Sequence, residues 1–391
     1  MLTEGVCNRL KQRWRGPAVR VTVGGQTYHF GAGTPRTDVI VHKPAVLARL
    51  LISPSLAFGE GYMRGEIEID GPLMDVLEGA YRTFAPSRTS GTMDRLQQWL
   101  PEAVIRRRAA ANAQHHYDIG NDFYQLWLDP SLTYSCAYFL RDTDALETAQ
   151  QQKLELLCRK ARLQPGQRVL DIGCGWGGLM FHAARQHDVH VTGVTPAAEQ
   201  AQHIEQQAER QALGHRVSVI RGDWRDVTGQ FDRVLSVGMF EHVGRQHYRA
   251  FLNKWHQLLA PGGLSVLHTI GRMKPQPPDP WIRRYIFPGG YLPTLSQIVS
   301  NSAAAGLWCP DIENLGQHYA RTLAAWAANF QQAWDQVVAM HGQRFARMWW
   351  LYLQGAEAAF RWGGLHLWQV VLAKDDRAPW PLNREVRPEA D

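Results

Sequence analysis

The chain has 391 residues, 45% of them hydrophobic and 20% charged, enough for two domains with ordinary globular cores and no staples. No apolar run reaches the roughly 18 residues a membrane-spanning helix needs, and Met1-Leu2-Thr3-Glu4 has no basic segment leading into an apolar one, so nothing directs export and the expected location is the cytoplasm. The net charge of +6 favours an anionic partner without naming it, leaving nucleic acid, anionic lipid and simple solubility open.

The first hundred residues read as a small α+β unit. Val19-Arg20-Val21-Thr22-Val23 and Gln26-Thr27-Tyr28-His29-Phe30 alternate about Gly24-Gly25, a two-residue hairpin signal, and Asp38-Val39-Ile40-Val41 reads as a third strand. Helices are predicted over 44–52 and 72–84. The stretch between them, Ser55 to Met63, is small and apolar and reads as a turn around a pocket. No constellation here looks catalytic. Ala85-Pro86-Ser87-Arg88-Thr89-Ser90-Gly91-Thr92 has linker composition and divides the chain into a small domain over 1–85, a linker over 86–100 and a larger domain over 101–391. Residues 93–113 should be helical and carry Arg106-Arg107-Arg108, either a solvated face or a contact with anionic lipid headgroups at about 1 kcal/mol per basic residue.

His115-His116-Tyr117-Asp118-Ile119-Gly120-Asn121-Asp122-Phe123-Tyr124 mixes polar and aromatic residues without amphipathic period, with Gly120-Asn121 as a turn. Tyr134-Ser135-Cys136-Ala137-Tyr138-Phe139 is similar, and both read as segments that fold over a ligand. An amphipathic helix over 145–162 follows, with Leu154, Leu157, Cys158 and Ala161 on one stripe.

Val169-Leu170-Asp171-Ile172-Gly173-Cys174-Gly175-Trp176-Gly177-Gly178 is the handover from a buried strand to a helix in a doubly wound sheet. Such a glycine turn lets backbone approach a ligand closely. Gly173-x-Gly175-x-x-Gly178 also occurs in dinucleotide-binding enzymes, but these place an acid near the end of the second strand. Here that strand ends Gly193-Val194-Thr195, with no acid, so an adenosine must be held by Thr195, by Gln200, or by both. After the third strand, Asp223 is placed to accept from an exocyclic amine, with Trp224 stacking on the base. Asp223 reads equally as a strand-end turn residue. Strands over 231–237 and 264–270 complete an alternating pattern that predicts a parallel sheet covered on both faces. Gly173, Thr195, Asp223, Glu241 and His268 all fall at or past strand ends, which predicts one shared cleft.

Beyond Arg272 comes an aromatic, proline-bounded insertion from Asp279 to Gly290, then long helices over about 323–341 and 343–361. Many of the 15 tryptophans lie here, as a lipid interface or greasy pocket requires, though core filling is the commoner role. The five cysteines, Cys7, Cys136, Cys158, Cys174 and Cys309, are odd in number and scattered, which argues against both a disulfide framework and a zinc site and fits a reducing cytosol.

Taken together, His116 to Tyr124, Tyr134 to Tyr138, the glycine turn, Gly193-Val194-Thr195, Ser236-Val237-Gly238-Met239-Phe240-Glu241-His242-Val243-Gly244, His268-Thr269-Ile270-Gly271 and Trp368-Gln369-Val370-Val371 closely resemble the cyclopropane-fatty-acyl-phospholipid synthases, S-adenosylmethionine-dependent enzymes related to the mycolic acid cyclopropane synthases. Before Ala111 the resemblance is looser and rests mainly on Gly59-Glu60-Gly61-Tyr62-Met63. It implies a doubly wound, Rossmann-like class I methyltransferase domain beside the small α+β domain. It places S-adenosylmethionine against Tyr134, Ser135, Gly173, Gly175, Thr195, Gln200, Asp223, Trp224 and Val237. It places a bicarbonate ion against the side chains of Glu241, His268 and Tyr319 and the backbone of Cys136 and Ile270, with no metal. The implied reaction converts unsaturated phospholipid acyl chains to cyclopropane chains at the inner face of the cell membrane, with the N-terminal domain serving lipid presentation or homodimerisation. A related C-methyltransferase giving a methyl or methylene branch is the alternative; a non-catalytic carrier and a nicotinamide oxidoreductase fit less well.

Overall fold

The computed structural model describes residues 2–84 and 119–381. The linker, Arg106-Arg107-Arg108 and the stretch from His115 to Asp118 lie outside the described residues. The chain divides into two compact units, one made of Met1–Ser90, Pro277–Pro288 and Leu323–Leu365, the other of Gly91–Gln276, Gly289–Thr322 and His366–Asp391.

In the first unit, strands β1 (Val19–Val23), β2 (Gln26–Phe30), β3 (Thr37–Val41) and β4 (Ile67–Asp70) form a sheet in the order β2-β1-β3-β4. The hairpin pairs Val19 with Phe30 across the Gly24-Gly25 turn. The fourth strand and a first helix, Leu2–Arg13, were not evident in the sequence. The predicted helices are Ala45–Ile52 and Leu73–Thr83. The stretch expected as a turn around a pocket is instead a helix, Pro54–Met63. Its glycines serve close approach rather than turning: a Cβ on Gly59 would lie 2.2 Å from the Trp281 ring, and one on Gly61 would lie 2.9 Å from Ile67. The same unit holds the proline-bounded segment, whose helix Pro280–Tyr285 is capped by Asp279, and the helices Trp334–His341 and Gln343–Arg361. The single helix expected over 323–341 is two: Gly316–Gln332 starts seven residues earlier, where Asn314 Oδ1 accepts from the Gly316 N–H, and Ala333 interrupts it with ψ near 7°.

The second unit is a seven-stranded sheet. Strands β5 (Arg168–Ile172), β6 (His190–Thr195), β7 (Val217–Arg221), β8 (Phe231–Val237), β9 (Leu259–Arg272), β10 (Trp308–Asn314) and β11 (Leu365–Ala373) lie in the order β10-β11-β9-β8-β5-β6-β7. Pairs β5/β6, β6/β7, β5/β8 and β8/β9 are parallel. The antiparallel edge, β10 with β11, is where the alternating pattern had ended in the sequence. Alternate residues of each strand enter opposite cores: Val169, Val191 and Leu235 pack with Leu154, Leu157 and Met180 on one face, while Leu170, Val194 and Val234 pack with Phe251, Leu252 and Trp255 on the other. At about 1.5 to 3 kcal/mol per fully buried aliphatic or aromatic side chain, these two layers fix the sheet. Strand order reverses between β5 and β8, so their carboxyl ends diverge and leave a crevice. This is a doubly wound, Rossmann-like α/β domain.

Candidate active site

That crevice is a cavity of about 880 Å³. Its lining brings together all nine positions expected to hold a nucleoside: Tyr134, Ser135, Gly173, Gly175, Thr195, Gln200, Asp223, Trp224 and Val237. Gly173 closes β5 at φ 80°, and a Cβ there would lie 2.6 Å from the Met239 side chain, so the turn admits only glycine without displacing β8's loop.

The polar groups are specifically committed. Thr195 Oγ1 donates to Gln200 Oε1 at 2.8 Å and accepts from the Ala197 N–H, which leaves Gln200 Nε2 as a buried donor with no partner among the described residues. Asp223 accepts from the Arg225 N–H at 2.9 Å and pairs with the Arg225 guanidinium at 2.8 Å. It therefore serves as the turn residue that its position allowed and lines the cavity as well. Trp224 meets Phe251 edge-on at 4.8 Å, and the Arg225 guanidinium lies 4.3 Å from its ring centroid. One face of the indole is thus occupied by a cation.

The segment from Thr133 to Leu140 has no regular structure but is pinned on both sides. Gln150 Nε2 donates to the carbonyls of Thr133 and Ser135, Thr322 Oγ1 accepts from the Ala137 N–H, and His318 Nδ1 accepts from the Phe139 N–H. From the earlier lid segment, Asn121 does not complete a turn but begins the short helix Asn121–Gln125, and its Oδ1 accepts from Trp176 Nε1 at 2.7 Å, tying the segment to the glycine turn. Tyr124, Trp127, Tyr134 and Trp176 pack as one aromatic cluster with centroids 4.9 to 5.7 Å apart.

The five positions expected around an anion do not line this cavity. Glu241 sits on a 3-10 turn, Phe240–His242, after β8, and its Oε1 accepts from the Ile270 N–H at 2.6 Å. Burial raises its carboxyl to about 7. Its Oε2 is buried with no partner among the described residues, as is Nε2 of His268, two residues before Ile270 on β9. Cys136 and Tyr319 meet at one carbonyl: Leu315 O accepts from the Tyr319 N–H at 3.1 Å and lies 3.8 Å from Cys136 Sγ. Burial pushes the Cys136 thiol well up, away from nucleophilic thiolate chemistry.

A family model for mycolic acid cyclopropane synthetase matches residues 105–370. The chain belongs to this family. As a family member it is an enzyme of the methyltransferase class. A second family model, a domain of unknown function, matches residues 12–89. The family member is 41% identical over 346 residues to the cyclopropane-fatty-acyl-phospholipid synthase of Escherichia coli K12, covering 88% of this chain and 89% of that one. It is 35% identical to the solved cyclopropane synthase MmaA2 from Mycobacterium tuberculosis, with a TM-score of 0.66 over 68% of this chain and 98% of that one. It is 36% identical to the mycolic acid cyclopropane synthase CmaA1 solved in complex with SAH and CTAB, with a TM-score of 0.65 over the same shares of the two chains.

Three buried polar residues, of which Lys153 lines the cavity, escaped the sequence reading. Gln150, Lys153 and Lys160 are buried on the helix Leu146–Ala161, flanking its apolar stripe. Lys153 Nζ donates to Ser135 Oγ at 2.8 Å, and burial pulls its ammonium down to about 8. The signal was their spacing of three and seven residues, which keeps all three on one face beside Leu154 and Leu157.

Proposed function

We propose that this enzyme transfers the methyl carbon of S-adenosylmethionine to the cis double bond of an unsaturated phospholipid acyl chain and closes a cyclopropane ring, with bicarbonate as the base. When bound, S-adenosylmethionine supplies an electrophilic methyl carbon, and bicarbonate supplies a proton acceptor. Gln200 Nε2, the orphaned donor of the cavity, suits a nucleoside oxygen, and the Gly173 turn suits backbone approach. Glu241 and His268 suit an anion. With Glu241 Oε1 taken by the Ile270 N–H, a carboxyl titrating near 7 carries its proton on Oε2, the atom without a partner, and so offers a hydroxyl donor.

An isolated alkene is a poor nucleophile with no proton whose removal would activate it, so the protein must act by positioning, exclusion of water and stabilisation of positive charge. Methylation of one alkene carbon leaves a cation at the other, and loss of a proton from the new methyl group closes the ring. Of the aromatic cluster, Tyr134 and Trp176 line the cavity, and each ring face can stabilise such a cation by about 0.5 to 2 kcal/mol. The observation that carries the reading is the pair of buried polar atoms on Glu241 and His268 that have no partner among the described residues: Glu241 lies two residues past the cavity-lining Met239, and His268 pairs in register with the cavity-lining Val237.

We further assign the first unit to presenting lipid or joining two copies of the chain at an anionic membrane surface. No helix among the described residues is long and apolar enough to cross a membrane. Assay of vesicle lipid turnover in buffer stripped of CO₂ tests the base: turnover should fall and return on adding bicarbonate. Turnover indifferent to bicarbonate would remove that part of the reading.

A further inference from the structure

Behind His268 runs a buried chain of hydrogen bonds. Lys160, on the helix Leu146–Ala161, and Gln369, on β11, are both completely buried. Lys160 Nζ lies 2.6 Å from Glu313 Oε2 and donates to Gln369 Oε1 at 2.7 Å. Gln369 Nε2 in turn lies 3.0 Å from His268 Nδ1. Chemistry forces the direction of each link. An ammonium only donates, so the glutamine atom facing it must be the carbonyl oxygen, and the atom facing the imidazole must be the amide NH₂. That group also only donates, so Nδ1 of His268 must be the bare nitrogen. Burial beside Lys153 and Lys160 holds the imidazole well below its usual basicity and therefore neutral. A neutral ring with a bare Nδ1 carries its proton on Nε2, which is the buried atom with no partner among the described residues.

We infer that Lys160, Glu313 and Gln369 are positioning residues that lock His268 in its Nε2–H tautomer, so that it offers a hydrogen-bond donor to the anion. The purpose of the lock rests on the anion-assisted function proposed above; its geometry does not. The opposite tautomer would turn a lone pair toward the anion and repel it. Glu313 keeps Lys160 charged at the head of the relay, and the lysine charge prevents the glutamine amide from flipping.

Long-range ¹H–¹⁵N correlation on ¹⁵N-histidine-labelled protein, without ligands, reads the tautomer directly. The His268 signals are identified by their loss in His268→Gln. The expected spectrum has an unprotonated Nδ1 and a protonated Nε2 at neutral pH. Gln369→Glu preserves shape and still gives Lys160 an acceptor, but it places an acceptor against Nδ1. The two nitrogens should then exchange protonation states, and turnover should fall on the order of 100-fold with S-adenosylhomocysteine affinity unchanged. A protonated Nδ1 in the native protein overturns the lock, as does a Gln369→Glu spectrum with the nitrogens unexchanged. An exchange that leaves turnover intact overturns the positioning role. Should Gln369→Glu fail to fold, the native spectrum still decides. The native tautomer found in a protein that never modifies lipid would support the lock and reject the function on which its purpose rests.

Discussion

Glu241 shows how burial and one hydrogen bond set a side chain's chemistry. Its folded carboxyl holds its proton up to about 7, above the ordinary carboxylate range, chiefly because the charged form is desolvated. Between those two values the folded state binds more protons than the unfolded chain, so the contribution of Glu241 to stability is complete at acid pH and is lost as pH rises through about 7. Asp171, also raised to about 7, acts in the same direction. The difference in unfolding free energy between native protein and Glu241→Gln, measured by denaturant titration across pH, should therefore fall by about 3 kcal/mol from acid to alkaline conditions. A flat difference would mean that Glu241 titrates normally. Gln200 offers a second residue-scale test. Gln200→Glu keeps the acceptor that Thr195 needs and replaces the orphaned donor with a carboxylate oxygen, so calorimetry should show S-adenosylhomocysteine binding weakened about tenfold or more.

At the scale of elements, Pro54–Met63 marks where the sequence misleads. Two glycines, Gly59 and Gly61, in a short apolar stretch resemble a turn because local propensity favours one. What decides otherwise is the Trp281 ring, 222 residues away in the chain, lying where a Gly59 Cβ would stand. Gly59→Ala gains about 1 kcal/mol in helix propensity but forces a rigid indole aside at 2.2 Å, an overpacking that costs about 1 to 3 kcal/mol or more. Net destabilisation is expected, read as a lower denaturation midpoint at unchanged slope. The core sheet was legible for the opposite reason. β5, β6 and β8 carry short β-branched and aliphatic stretches, Val169-Leu170, Val191 to Val194 and Val234-Leu235, separated by helix-length segments, the alternation a doubly covered parallel sheet requires. The antiparallel β10 and β11 were less so, since β10 mixes Pro310, Asp311 and Glu313 and is half exposed. That Gly173, Thr195 and Asp223 share one cavity was readable because strand ends converge by topology, whereas Tyr134 and Ser135 came only with the family resemblance. The relay behind His268 was not, because Lys160 and Gln369 lie 209 residues apart and each looks like ordinary surface by itself.

For the whole molecule, the question is how a chain with no described spanning helix reaches lipid. In the first unit Leu51 and Ile52 are 61% and 86% exposed at the end of a helix that also carries Arg49, an apolar tip with a basic neighbour. If this tip enters a bilayer, the paired change Leu51→Ser and Ile52→Ser should reduce sedimentation with anionic vesicles at low salt and leave the melting temperature within a few degrees. Unchanged sedimentation would contradict that role. A shift from dimer to monomer in ultracentrifugation would instead give the tip to self-association. The tryptophans contribute less to such a surface than their number promised. Trp127, Trp255, Trp326 and Trp349 are wholly buried, in the core role that is commoner for this residue, while Trp308 is exposed.

The central claim is ring formation on a lipid chain, and the most direct test follows the transferred carbon. Vesicles of monounsaturated phospholipid are incubated with the full chain and methyl-deuterated S-adenosylmethionine, and the lipids are analysed by mass spectrometry before and after ozonolysis. Ring closure should give gain of a CD₂ unit with loss of the ozonolysable double bond. Gain of CD₂ with that bond retained, or retention of a CD₃ group, would contradict it in favour of a branched product, and unlabelled lipid from a protein that binds S-adenosylmethionine would contradict the choice of acceptor.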